Sequence, residues 1–190
     1  MAIESQRDFT RAKRLLAWYN MIPNLVWSVI NLVPISIFCY SYMDLRLLFI
    51  FSIASFVPVF FKNSFLDKIR VGNTTRIYKK LGVHIINKVA QNGDLINSFV
   101  RKKFPNYKGV EHNKMSIRRL VSQTYFFEKF HLVLFLFFVL TTTYALLKRY
   151  FWWSFFISLS NMGYNVYPNL LQQYIRLKLV LFQKRLEAIK

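Results

Sequence analysis

The sequence is short of everything that staples a small fold together or holds a metal. Cys39 is the only cysteine, so one chain can form neither a disulfide framework nor a thiolate metal site. The three histidines, His84, His112 and His131, are scattered, and none has the second histidine four residues away that a zinc-binding helix needs; no metal is expected. Five glycines make no phosphate-cradling loop, and no internal repeat or low-complexity segment is visible. Acidic residues are scarce, 8 against 27 Lys and Arg, for a net charge of +19. The first twenty residues, MAIESQRDFTRAKRLLAWYN, lack the apolar core of a cleavable secretion signal. They read as a basic lead-in with Trp18 and Tyr19 at a membrane interface.

What the chain has is apolar surface. It is 54% hydrophobic and 18% aromatic, with 20 phenylalanines, a composition ordinary for a membrane protein and high for a soluble one. The charge excess would point to nucleic acid in a soluble domain; here membrane lipid headgroups or a phosphate-bearing substrate are the expected partners, and nucleic acid is not. Four apolar blocks occur, at about Met21 to Met43, Leu45 to Phe61, Phe130 to Leu147 and Phe151 to Tyr174. The first, third and fourth have the length that crosses a hydrocarbon core as helix, and the second is at the short limit. Pro23, Pro34 and Pro58 are expected to bend the first pair.

Two short turns, MDLR and LKRY, join the blocks into hairpins, and the polar region Lys62 to Lys129 separates them. The expected fold is an all-α integral membrane domain, residues 1–190, with about four transmembrane helices in two hairpins and a cytoplasmic interfacial helical insert. Its parts are a lead-in (1–20), a first hairpin (21–61), the insert (62–129), a second hairpin (130–174) and a tail (175–190). Fifteen of the 27 basic residues fall in the insert and one or two in each hairpin turn, so the positive-inside rule puts the insert and both termini in the cytoplasm. Within the insert, Ile77, Leu81, Ile85 or Ile86 and Val89 recur at helical spacing, QNGD at 91–94 signals a turn, and Leu95, Ile96, Phe99 and Val100 resume the pattern. Two short surface helices around a Gly turn are expected.

This topology gathers polar residues at one leaflet. Glu128 and His131, three apart in FFEKFH, share a helical face. They fit an acid/base pair in which Glu128 orients an imidazole that deprotonates an alcohol, and equally a pair of interfacial residues at a helix start. Asn161, Asn165 and Asn169 are spaced by four, and Gln172 or Gln173 and Arg176 continue roughly the same stripe. Such a stripe serves either as glue between helices or as a substrate groove whose amides position hydroxyls and whose Arg176 clamps a phosphate or carboxylate.

Four segments, YKKLGV at 78–83, NKVAQNGD at 87–94, FFEKFH at 126–131 and NVYPNLLQQYIRLKL at 165–179, together resemble the bacterial glycosyl-diaponeurosporenoate acyltransferases, which acylate carotenoid glucosides. That family is small, helical and membrane-bound. It has a Lys before a short Asp/Asn-Gly turn, a Glu-x-x-His at the start of a late membrane helix, and an Asn followed by a Gln-Arg-Tyr-Asn-Arg element. Lys88, Asn92 and Gly93 match the turn, Glu128 and His131 the pair, Asn165 the Asn, and Gln172, Tyr174 and Arg176 the last element, while Gln173 and Ile175 stand where the pattern has Arg and Asn.

The resemblance, which spans roughly residues 76–180, implies transfer of a fatty acyl group, from acyl-CoA or an acyl carrier as donor substrate, to a hydroxyl of a glycosylated lipid or carotenoid glucoside. It implies His131 and Glu128 as catalytic residues, Asn165, Gln172, Tyr174, Arg176, Lys88 and Asn92 as substrate-binding residues, no bound cofactor, and a multi-pass location in the bacterial cytoplasmic membrane. The rival expectation is a non-enzymatic membrane subunit whose amide stripe packs on a partner protein or a second copy and whose basic insert holds anionic lipid.

Overall fold

The computed structural model describes residues 2–85, 94–104 and 114–188. These residues are about nine-tenths helical with no strand. In chain order the helices are α1 (Ala2–Tyr42), α2 (Leu45–Ser55) with a 3-10 turn Val57–Phe60, α3 (Asn63–Ile69), α4 (Thr75–Lys80), α5 (Asp94–Lys103), α6 (Lys114–Leu147), α7 (Phe151–Asn161), a π turn Met162–Val166, and α8 (Tyr167–Ala188).

Among the described residues two helices are long and apolar enough to cross a membrane, Thr10–Tyr42 and Met115–Leu147, as the helices of a membrane protein are. Leu45–Phe60 and Asn63–Ile69 count as a third only if taken as one broken span, because they meet at 96°. The fourth block is helical throughout, but the π turn divides it into pieces that are separately too short or too polar to qualify. Pro34 lies within the unbroken α1. Pro58 does end a helix: it occupies the start of the 3-10 turn that closes α2, where its missing N–H costs nothing. Asp44 starts α2 by accepting a 2.7 Å bond from the Arg46 amide.

Helix α6 is the spine. It packs along α7, the π turn and α8 on one side and against α2 and the 3-10 turn on another. The main apolar core joins Ile35, Phe38 and Cys39 of α1 to Phe138 and Ala145 of α6 and Ile157 of α7. At that end Phe38 is ringed by Tyr42, Tyr144, Tyr150 and Trp153, all with centroids within 6.4 Å, and the Tyr144 hydroxyl donates to the Tyr42 carbonyl at 2.8 Å. Tyr and Trp gather where hydrocarbon meets headgroups. Lys129 and Lys148 bracket the apolar part of α6, and at 1.5 Å per residue they stand about 28 Å apart, close to the thickness of a hydrocarbon core. The aromatic ring therefore stands at one end face of this apolar stretch, and Glu128 at the other end face.

At the second face the chain leaves the bundle. Helix α5 lies against the start of α1, with Val100 buried beside Ala12 and the Phe99 and Tyr19 rings 6.1 Å apart. Helix α4 docks on α8, where Tyr78 and Val83 are buried with Leu171 and Tyr174. Gly82 follows α4 with φ of +76°, the left-handed conformation that ends helices and that a Cβ strains. Gly82→Ala should cost about 1 kcal/mol, read as a lowered midpoint in detergent thermal unfolding with no change in oligomeric state.

Candidate functional site

The seam between α6 and α8 is polar over its length from Asn161 to Arg176, and the π turn explains how one stripe lasts so long. A step of four residues overshoots a 3.6-residue turn by about 40°, so Asn161, Asn165, Asn169 and Gln173 should drift around a regular helix. Between the first two, the i→i+5 closure, seen in the bond from the Tyr167 amide to the Met162 carbonyl, absorbs an extra residue. Asn161, Asn165, Asn169, Gln173 and Arg176 consequently all end buried, none more than 7% exposed. Helix α1 packs on the turn, where Ser28 bonds the Tyr164 hydroxyl at 2.9 Å.

The lower part of the seam is a charged lock. The Glu128 carboxylate, 1% exposed, accepts from Arg176 Nη1 at 2.5 Å and from Gln173 Nε2 at 2.7 Å. Arg176 Nε also faces Asp67 of α3 at 3.3 Å, and its guanidinium lies 4.1 Å over the Tyr125 ring. Tyr125 in turn donates to the other Asp67 oxygen at 2.6 Å. Gln173 Oε1 accepts from the Tyr78 hydroxyl at 2.9 Å and the Val71 amide at 3.2 Å. Burial pushes the Tyr78 phenol above its ordinary range, with nearby Arg70 and Arg176 pulling the other way, which keeps it protonated as a donor to Gln173. Side chains from α3, α4, α6 and α8 thus close on a single cation.

Above the lock the seam is only partly satisfied in hydrogen bonds. Asn165 donates to Asn161 at 2.8 Å and Asn161 to the Phe135 carbonyl at 3.3 Å. Partly buried His131 sits beside Asn165, with its ring edge-on to Tyr164 at 6.2 Å. Yet Asn165 Oδ1, Asn169 Oδ1 and His131 Nδ1 are buried with no hydrogen-bond partner, as is Arg176 Nη2. Unpaired buried polar atoms in a native structure call for a ligand, water or ion to complete them. No group of three or more His, Cys, Asp or Glu suited to a metal occurs among the described residues.

The residues singled out from sequence divide accordingly. Glu128 and Arg176 come together, but Glu128 turns to Arg176 and Gln173 instead of His131, because only the cation can balance a buried carboxylate. His131 and Asn165 come together one turn higher. Tyr174 is buried in the apolar cluster with Tyr78, and Gln172 is half-buried beside the lock without joining it. Lys88 and Asn92, with the QNGD turn, lie outside the described residues. Sequence reading missed Asp67, Tyr78 and Tyr125, and placed Gln173 only as an alternative to Gln172. The signal for Asp67 was available: acids are so few in this basic chain that one beside the second apolar block has a cation to answer.

A family model described as glycosyl-4,4'-diaponeurosporenoate acyltransferase matches residues 62–185, well over half of the chain. The chain belongs to this family. The match opens at the 96° bend and takes in every residue of the lock and of the acceptor row, while α1 and α2 fall outside it. At the level of the family, this acyltransferase assignment means transfer of an acyl group to a carotenoid glucoside. Comparison with curated proteins and with solved structures finds no match.

The lock makes a register test for the acyltransferase fold. Gln173→Ala removes a bond to a buried carboxylate and the acceptor of the Val71 amide, while the Tyr78 hydroxyl keeps Gly72, so it should destabilise the protein by about 2 to 4 kcal/mol. Gln172→Ala, on the neighbouring face, should change stability by less than about 0.5 kcal/mol. Thermal unfolding of the two variants in the same detergent decides between them, and equal losses would reverse the assignment of Gln173 to the lock.

Proposed function

We propose that this protein moves a long-chain acyl group from acyl-CoA or an acyl carrier onto a sugar hydroxyl of a carotenoid glucoside or similar glycosylated lipid, at the cytoplasmic leaflet of a bacterial inner membrane. The observation that carries the reading is the set of buried polar atoms without a hydrogen-bond partner, His131 Nδ1 on α6, Asn165 Oδ1 on the π turn and Asn169 Oδ1 on α8. A sugar ring presents several O–H donors, the complement of that set. An acyl chain or a polyene presents none.

In this reading His131 is the general base. It takes the proton of the attacking hydroxyl as that oxygen adds to the thioester carbonyl; the C–O bond forms, the C–S bond breaks, and the imidazolium returns its proton to the departing thiolate. Asn165 and Asn169 hold the acceptor sugar. Glu128 and Arg176 act as positioning residues that fix α6 against α8, and Arg176 Nη2 is the N–H left over for a developing oxyanion or a donor phosphate. Gln172, Tyr174, Lys88 and Asn92 are assigned to substrate by the family pattern. Helices α7 and α8, joined through the π turn, serve as the fourth crossing, residues 62–129 form the cytoplasmic insert, and 1–190 is one membrane domain with both termini inside.

The alternative of a subunit that docks a partner through the amide stripe has less room, because α6 already covers that face. Mass spectrometry of lipids and pigments from cells expressing each variant tests the proposal. His131→Ala should insert normally and lower acylated product at least about a hundredfold, the scale of losing a general base. Glu128→Gln should lower the amount of folded protein as well as product. An acyl-glycolipid and carotenoid profile that is identical with wild-type protein, with His131→Ala and with no protein removes the acyltransferase reading; full product from His131→Ala removes the base.

A further inference from the structure

The 96° bend between α2 and α3 forms a second feature that the acyl-transfer chemistry does not use. A shallow cleft there is lined by Phe60, Phe61, Lys62, Ser64, Phe65 and Lys68. Phe60 is 85% exposed and Phe65 43%, while the Phe61 and Phe65 rings meet edge to face at 4.8 Å. Lys129 reaches across from α6 and donates to the carbonyl of Val59, the residue before Phe60, at 3.2 Å. The nearest acid, Asp67, is spent on the far side, one oxygen on Tyr125 and the other on Arg176. Lys62 and Lys68 therefore face the cleft without a competing carboxylate.

We propose that this cleft binds the headgroup phosphate of an anionic phospholipid. The geometry layers as a lipid does. The 3-10 turn that ends an apolar helix carries Phe60 outward at the level of acyl chains, and the chain then turns sideways so that Lys62, Ser64 and Lys68 follow at the level of phosphate. The exposed Phe60 ring beside the lysines favours a bilayer component over a soluble phosphate ester. Because Asp67 and Lys68 are adjacent, as are Glu128 and Lys129, a lipid seated here braces the two elements whose acids close on Arg176. The site stands whether or not His131 is the base.

The experiment is native mass spectrometry of the full chain released from detergent micelles doped with phosphatidylglycerol or phosphatidylcholine. Wild-type protein should retain phosphatidylglycerol preferentially. Lys62→Gln with Lys68→Gln should weaken that retention by about 25-fold, from roughly fivefold for each lysine near a phosphate. Lys79→Gln with Lys80→Gln, an equal loss of exposed charge on α4, should leave it within about twofold. Equal effects of the two pairs, no lipid preference in wild type, or displacement of the lipid by coenzyme A would each overturn the proposal, the last by assigning the cleft to a soluble phosphate.

Discussion

Everything at the Glu128 end of the bundle depends on burying one guanidinium. Arg176 is 3% exposed, and removing a cation from water costs several kcal/mol unless charge and hydrogen bonds replace the lost hydration. No single helix can supply that. Glu128 comes from α6, Asp67 from α3, and the ring of Tyr125 from a turn earlier on α6, so the cation is satisfied only when three elements are docked together. Gln173 extends the requirement to a fourth, since its carbonyl oxygen holds Tyr78 of α4 while its amide nitrogen holds Glu128. Helix α8 thus acts as a post to which the early part of the polar region is tied. Between apolar helices in lipid, where hydrophobic attraction between helices is weak, such polar contacts set which faces meet.

The same constraint separates two layers of the seam. Charge is confined to the level of Glu128 and Arg176, near the membrane boundary, and the deeper residues Asn161, Asn165 and Asn169 are neutral amides. An amide buried among helices can be completed by a neighbouring amide or a backbone carbonyl, as Asn161 and Asn165 are in part. A charge at that depth would need a full counter-charge. The layering places a rigid ionic floor beneath a row of weak, replaceable acceptors, an arrangement suited to a neutral, hydroxyl-bearing ligand entering from the side of the bilayer.

Much of this was legible in the sequence. The apolar blocks fall almost wholly within helices, and the four-residue spacing of the asparagines gave the stripe. Helical spacing alone singles out Glu128, His131, Asn165 and Arg176, and the family pattern includes all four. What the sequence could not yield was partner choice. Glu128 and His131 share a face, yet local spacing does not reveal that an arginine 48 residues later is a stronger partner for a buried carboxylate. Gln172 and Gln173 are indistinguishable by composition, and only the register left by the π turn decides between them. Asp67 and Tyr78 belong to short helices whose docking is a tertiary fact, invisible to periodicity over seven and six residues.

The position of Gln173 sharpens what the family pattern means in this chain. It stands where the pattern has an arginine, and here it touches the same carboxylate as Arg176. A second cation at 173 would put two guanidinium groups on Glu128 and leave Tyr78 and the Val71 amide facing a donor instead of an acceptor. An amide resolves this because it has both halves: its nitrogen donates to Glu128 while its oxygen accepts from Tyr78 and Val71. The departure at 173 is therefore matched by the surroundings that receive it, and the lock is closed with one positive charge instead of two.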